Sequence, residues 1–426
     1  MILRRLFQFF LNKLDHLDVC SVLNGYNQMK LTVGVLGGHS ALDVSHGAKK
    51  HGFSTVCIAR KGREKTYGKY YKTKKGVMVS PSNHDTDSHV ALRRTQGDMR
   101  GCIDETIVVE KFEDVLLKKN IEKLQNMNTI FVHSRYFWVY FSDYAKVEEE
   151  FALPIFGSRH LLKLEERSST VLTTGSQPYH QMHLLRDAGI RTPKIYTSAK
   201  EIELGKMVIV KAREAQRKYE RGFFLATATD FDDRVNAHIK SGMITADAMD
   251  DATIEEFIVG APVNFNFFYS PLTGELELLG TDTRRQTNLD GFLRMTAEDQ
   301  TWAKQFIPVK MVETGHIAVT VKESLLEKAF ELGEKFVTQC KKLPKKLDPT
   351  GKGIIGPFAL QGAVVTEDGK EDIVIFDVSF RVPGSPGTFA TPYSRYLYGE
   401  SMSVGERIGM ELKAAVEERM LEKIVT

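Results

Sequence analysis

The chain has 426 residues, 42% hydrophobic and 27% charged, with a net charge of +3 and a pI near 8.4. That length suits a sizeable core divided among two or three domains, and so mild a charge, with no long basic block, argues against nucleic acid as a partner. No stretch reaches the roughly 18–20 apolar residues of a membrane span, and the four cysteines are scattered without a CxxC pair, which reads as reduced thiols in a cytosolic protein.

Residues 1–17 (MILRRLFQFFLNKLDHL) place apolar side chains at helical spacing. Lys13, Asp15 and His16 interrupt the run, which therefore does not read as a secretory signal. The expectation is an amphipathic helix that packs on the body, or else one that lies on a membrane surface, within an N-terminal extension over residues 1–30. A βαβ pattern follows: strand 31–36, the turn Gly37-Gly38-His39-Ser40, helix 41–51 and strand 53–58. Strand 129–132 repeats it and leads into His133-Ser134-Arg135-Tyr136. Residues 31–155 are thus predicted to form a small open parallel α/β domain, with ligands at the carboxyl ends of its strands. Residues 72–100 are polar and read as a surface excursion.

A second domain is predicted over residues 156–426. Residues 181–188 read as a helix ending at Gly189, and 207–226 as a hairpin whose first strand ends in Lys211. A helix is expected over 230–240. Strands over 254–258, 264–269 and 275–279 are expected in one antiparallel sheet. Residues 324–343 have strong helical periodicity, 358–365 and 372–378 read as a closing hairpin, and 404–424 as a C-terminal helix. The fold class is therefore mixed α/β and α+β.

Several charged residues sit where such strands deliver chemistry. Lys211 ends an apolar strand and suits a phosphate, unless it merely snorkels to solvent. Glu255 and Glu256 precede Phe257-Ile258-Val259; one carboxylate suits ribose hydroxyls while the backbone at Ile258 reads an adenine edge, or both are a solvated acidic edge. Gln361 and Asp377 lie on the two arms of the closing hairpin and suit magnesium. Arg381 is placed to take a transferring phosphoryl group, or else to pair with Asp377. His39 opens a helix after the first strand, a position that favours an anion, and Ser134 and Tyr136 belong to a segment able to face the same crevice. The segment 283–291, with Arg284 and Asn288, reads as a polar, basic loop after a strand that suits a phosphate and a base, or is simply solvated.

In this order the motifs resemble the archaeal 5-formaminoimidazole-4-carboxamide ribonucleotide synthetase (PurP) family of the ATP-grasp superfamily. The resemblance rests on Gly37-Gly38-His39-Ser40, Val208-Ile209-Val210-Lys211, Ile254-Glu255-Glu256-Phe257-Ile258-Val259-Gly260, Asn288-Leu289-Asp290-Gly291, Leu360-Gln361 and Asp377 to Arg381. It implies an ATP-grasp domain after the α/β domain. It also implies a reaction: ATP, formate and aminoimidazole-carboxamide ribonucleotide give the formamido product, ADP and phosphate, through formyl phosphate.

By the same resemblance His39 and Asn288 contact the nucleotide substrate, with Ser134, Tyr136 and Arg284 near it. Lys211, Arg213, Glu255, Glu256 and Ile258 serve ATP, and Gln361 and Asp377 hold magnesium or manganese. Lys211 and Arg381 act on the transferred group. The resemblance further implies a homo-oligomer whose partners are small molecules. The chain departs from the family pattern in five places. The phosphate-covering loop at 212–221 is charged rather than glycine-rich, His183 stands for a lysine, Tyr136 for a serine, Asp377 for a glutamate, and 382–387 (VPGSPG) for a run of glycine and asparagine. Two alternatives stay open: an ATP-grasp ligase joining a different carboxylate and amine, and a nucleotide-binding regulator without turnover.

Overall fold

The computed structural model describes residues 16–75, 99–165, 173–174, 177–212, 222–250, 252–384 and 386–426. Two compact units emerge, one of residues 1–156 with 404–426, the other of 157–403. The helix expected over residues 1–17 falls mostly outside the described residues, as does most of the polar excursion at 72–100. A short helix α1 (His16–Asn24) is described.

The first unit is built on one parallel sheet. Its strands are β1 (Thr32–Leu36), β2 (Ser54–Arg60), β3 (Glu105–Val109), β4 (Thr129–Val132) and β5 (Ile155–Phe156), in the order β3-β2-β1-β4-β5. Every residue of β1 and β4 is buried, as parallel strands covered on both faces require. Helix α2 (Ala41–Lys50) makes the crossover from β1 to β2, and helix α3 (Lys118–Asn126) lies between β3 and β4 in the chain. The C-terminal helix Val404–Glu417, expected with the second domain, instead belongs to this unit and packs on α2. A pair of glycines makes the approach possible, because a Cβ at Gly47 would lie 2.0 Å from the Gly405 carbonyl oxygen and one at Gly405 would lie 2.1 Å from the Asp43 carbonyl oxygen. Backbone cannot yield as a side-chain tip does. Gly47→Ala should therefore cost at least about 2–3 kcal/mol in denaturant unfolding, whereas an alanine at the exposed helix site Lys118 should cost under about 0.5 kcal/mol.

The second unit holds two antiparallel sheets. After helix α4 (Gln181–Asp187), the smaller sheet has the order β6-β9-β7-β8, from β6 (Ile195–Tyr196), β7 (Met207–Lys211), β8 (Phe223–Thr227) and β9 (Thr253–Glu256). Helix α5 (Phe231–Lys240) separates β8 from β9 in the chain and packs on β8. The larger sheet has the order β12-β11-β10-β13-β14. Its strands are β10 (Ala261–Tyr269), β11 (Leu276–Gln286), β12 (Glu313–Ala318), β13 (Gly356–Glu367) and β14 (Lys370–Ser379), with helix α6 (Leu326–Lys341) between β12 and β13 in the chain. Three strands expected in one sheet are thus divided: β9 pairs with β7, and residues 257–260 lead across to β10.

One face of the larger sheet packs into the main core of this unit. Phe265, Phe267, Phe358, Leu360, Val378 and Phe380 join Phe336 of α6 and Leu184 and Leu185 of α4 in the core. The alternate residues Asn264, Asn266, Gln361, Asp377 and Ser379 are left for the opposite face. A β-bulge in the β13–β14 ladder sets this phase: the pairing runs Gln361 with Asp377 and then Gly362 with Ile375, leaving Phe376 unmatched. Core positions accordingly change from Ile373 and Ile375 on one side of the bulge to Val378 and Phe380 on the other.

Candidate functional site

In the first unit, His39 and the segment from His133 lie past the carboxyl ends of the adjacent parallel strands β1 and β4. His39 is exposed and meets the edge of the Tyr136 ring at a centroid distance of 5.7 Å. Ser134 is buried, and its hydroxyl oxygen accepts the Tyr136 N–H at 3.4 Å. The turn must be glycine where the ring crosses it, since a Cβ at Gly38 would lie 2.0 Å from Tyr136. The structure therefore brings His39, Ser134 and Tyr136 together at the ligand end of the sheet, where α2 presents its first N–H groups.

In the second unit, Lys211 ends β7 and forms an ion pair with Glu255 of β9. The lysine is nearly buried, the carboxylate wholly so, and the ammonium stands 5.9 Å from the Phe223 ring centroid. Adjacent strand residues face opposite ways, so Glu256 is the more exposed carboxylate of the two. Its Oε2 accepts the Lys194 N–H at 3.3 Å. Ile258 lies in the four-residue link between the sheets, just past Glu256. Arg213 lies outside the described residues.

The polar face of the larger sheet carries a row of four side chains in register: Asp282, Asn264, Gln361 and Asp377, on β11, β10, β13 and β14. Gln361 donates to the Ser379 hydroxyl at 2.9 Å and accepts from Arg284 Nη2, which also lies 3.8 Å from Asp377 Oδ2. A carboxylate and an amide oxygen, paired across neighbouring strands, fit a hard divalent cation that completes its shell with phosphate and water oxygens. A guanidinium already gathers the two. Among the described residues no group of three or more His, Cys, Asp or Glu is arranged to hold a metal, so most of the shell would have to come from a ligand.

Arg284 was expected in a loop. It lies instead within β11, which runs on to Gln286 because β12 pairs with it. His316 of β12 stands opposite Arg284, with Nδ1 2.7 Å from Asp282 Oδ1 and Nε2 3.1 Å from Glu313 Oε1. Burial disfavours the charged ring, but the two carboxylates outweigh it and raise the His316 pKa to about 9. The folded value lies above the ordinary 6.5. This contribution to stability is therefore full below about pH 6.5 and is lost as the pH rises through about 9. The difference in thermal midpoint between the protein and its His316→Gln variant should accordingly shrink between pH 7 and pH 9.5 (about two and a half units spanning the raised value).

Arg381 was expected to take a transferring phosphoryl group or to pair with Asp377. The strand stops at Ser379, and Arg381 lies beyond it, buried, with Nε 3.3 Å from Glu165 Oε1. The same Glu165 oxygen accepts the Phe380 N–H at 2.9 Å. Asn288 has φ 40 and directs its amide to the backbone of 308–310: Nδ2 donates to the Pro308 carbonyl at 2.8 Å and Oδ1 accepts the Lys310 N–H at 2.6 Å. Reasoning from sequence missed Glu165, Asp282, Glu313 and His316. A signal existed for one of them: Asp282-x-Arg284 repeats the period-two polar spacing of Asn264-x-Asn266 and Asp377-x-Ser379.

Comparison with known proteins places this geometry. A crystal structure titled as the IMP biosynthesis protein PurP from Thermococcus kodakaraensis matches at a TM-score of 0.59 and 25% identity, covering 92% of this chain and all of that one. A biotin carboxylase from Campylobacter jejuni matches at a TM-score of 0.53 and 12% identity, over 91% of this chain and 72% of its own. The fold is that of the ATP-grasp proteins. Two family profiles also match, a protein of unknown function (DUF1246) over residues 33–196 and a domain of unknown function (DUF1297) over 230–426. The 5-formaminoimidazole-4-carboxamide ribonucleotide synthetase of Methanocaldococcus jannaschii is 34% identical over 96% of this chain and 99% of its own. That of Methanothermobacter thermautotrophicus is 32% identical over 98% of this chain and all of its own. The chain belongs to this synthetase family.

Proposed function

We propose that the chain is an ATP-dependent ligase that joins formate to the 5-amino group of aminoimidazole-carboxamide ribonucleotide, releasing ADP and phosphate. The observation that carries this reading is the near full-length relation to the synthetases, with one polar sheet face gathering the oxygen donors and arginine such a reaction needs.

In this reading Lys211 neutralises nucleotide phosphate, Glu256 accepts ribose hydroxyls, and the backbone at Ile258 reads the base. Glu255 holds Lys211 in place. Gln361 and Asp377 hold magnesium or manganese, which when bound neutralises phosphate charge. Arg284, on the same face, serves the phosphate-bearing side of the reaction, and Arg381 is kept by Glu165 at the end of β14. His39, Ser134 and Tyr136 serve the nucleotide substrate in the first unit, and Asn288 is the substrate residue of the second, exchanging its backbone bonds to act. The chemistry is mainly positioning and charge neutralisation: ATP phosphorylates formate, and the amine attacks the resulting formyl phosphate.

The test is release of ADP and phosphate with each small carboxylate and each candidate amine. Turnover is expected only when formate and aminoimidazole-carboxamide ribonucleotide are both present. Turnover with another pair and not this one would overturn the substrate assignment while leaving the ligase.

A further inference from the structure

A line of charges of alternating sign stands behind the Gln361–Asp377 pair. Asp282 is fully buried, and its two oxygens accept the Asn264 and Asn266 amides at 2.7 and 2.6 Å. His316 bridges it to Glu313, and Glu313 Oε2 lies 3.3 Å from Arg284 Nε. Arg284 Nη2 then reaches Gln361 and Asp377. His316, Glu313 and Arg284 each use different atoms toward their two neighbours in the line, so ring, carboxylate and guanidinium are all fixed in orientation. The Asn264 and Asn266 amides anchor the far end to β10, in the middle of the sheet.

A divalent cation arriving at Gln361 and Asp377 meets a guanidinium on those same oxygens, and like charges at that range repel. Arg284 has to give them up. The carboxylate it already touches is Glu313, whose other oxygen is held by the His316 ring. We infer that Glu313 and His316 are positioning residues that receive Arg284 when a divalent cation takes Gln361 and Asp377, so that arginine and metal ion alternate on one oxygen pair. The inference rests on the ATP-dependent reading above. It assigns β12, an edge strand otherwise without a role, the task of setting how readily the site accepts its metal.

The experiment is Mn²⁺ titration, read by the EPR signal of the free ion, with a non-hydrolysable ATP analogue present. The proteins are the wild type, Glu313→Gln, Arg284→Gln and the double variant, with His316→Gln and Glu313→Asp alongside. Glu313→Gln should weaken Mn²⁺ binding about five- to tenfold, because Arg284 then stays on Asp377, and it should have under about a twofold effect when Arg284 is already Gln. His316→Gln should weaken binding in the same direction and Glu313→Asp should restore part of it, while analogue binding without metal stays unchanged in both. Equal weakening by Glu313→Gln in both backgrounds would mean that its charge acts on the ion directly, and would overturn the inference. So would wild-type Mn²⁺ affinity in Glu313→Gln. A wild type that binds the analogue but no Mn²⁺ removes the metal assignment and this inference with it. A wild type that binds no analogue removes the ATP-dependent reading itself.

Discussion

Asp377→Asn should lower kcat by about a hundredfold to a thousandfold, the usual scale for losing one pre-organised electrostatic contact to a developing charge. ATP affinity measured without metal should hardly change. The reason is where the residue sits. Asp377 pairs in register with Gln361 and lies 3.8 Å from Arg284, away from the Lys211–Glu255 pair of the smaller sheet. Asparagine keeps its shape and an oxygen for Arg284, so folding should be within about 1 kcal/mol of wild type. Single-turnover kinetics together with equilibrium ATP binding would check this. A kcat within threefold of wild type would show that Asp377 serves the sheet and not the reaction.

Lys211→Met should act on both stability and nucleotide binding, and a second substitution separates them. Removing the ammonium takes an ion-pair partner from Glu255, which has 1% side-chain exposure. Breaking a buried pair from one side costs up to about 3–5 kcal/mol, which would lower the thermal midpoint by up to about 10 °C. Adding Glu255→Gln removes the charge that lost this partner and should recover most of that loss. ATP binding should stay lost in the double variant, because the phosphate partner is gone. Recovery of ATP binding together with stability would assign Lys211 a purely structural part.

What could be read in advance follows from how locally each feature is encoded. Strand β4 was legible because Thr129-Ile130-Phe131-Val132 is a continuous apolar run between polar flanks. The placement of Lys211 was legible because it closes Val208-Ile209-Val210, and that of the Glu255-Glu256 pair because it precedes Phe257-Ile258-Val259. Strand β12 was not. Glu313-Thr314-Gly315-His316-Ile317-Ala318 has neither an apolar run nor alternation, and it becomes a strand only by pairing with the edge of β11. The end of β11 was misread for the same reason: Arg284 and Arg285 look like loop residues until a partner strand claims them. The Arg381–Glu165 pair joins distant segments of chain and leaves no local trace. The attachment of Val404–Glu417 to the first unit depends on Gly47 and Gly405 meeting backbone to backbone, which spacing along the chain does not encode.

The bulge at Phe376 gives pairing register a chemical meaning in β14. Were every residue kept but the ladder run on unbroken from the hairpin turn, Phe376 would pair with Gln361, and beyond it the side chains now facing the core would exchange places with those facing away. Asp377 and Ser379 would turn inward among phenylalanines, while Val378 and Phe380 would replace them on the polar face. Every amino acid in the Gln361–Asp377 arrangement would still be present and its function gone. Within a set of related chains, a one-residue gap at Phe376 would remove the bulge and still leave Asp377 on the polar face, whereas a straightened strand of the same length would not.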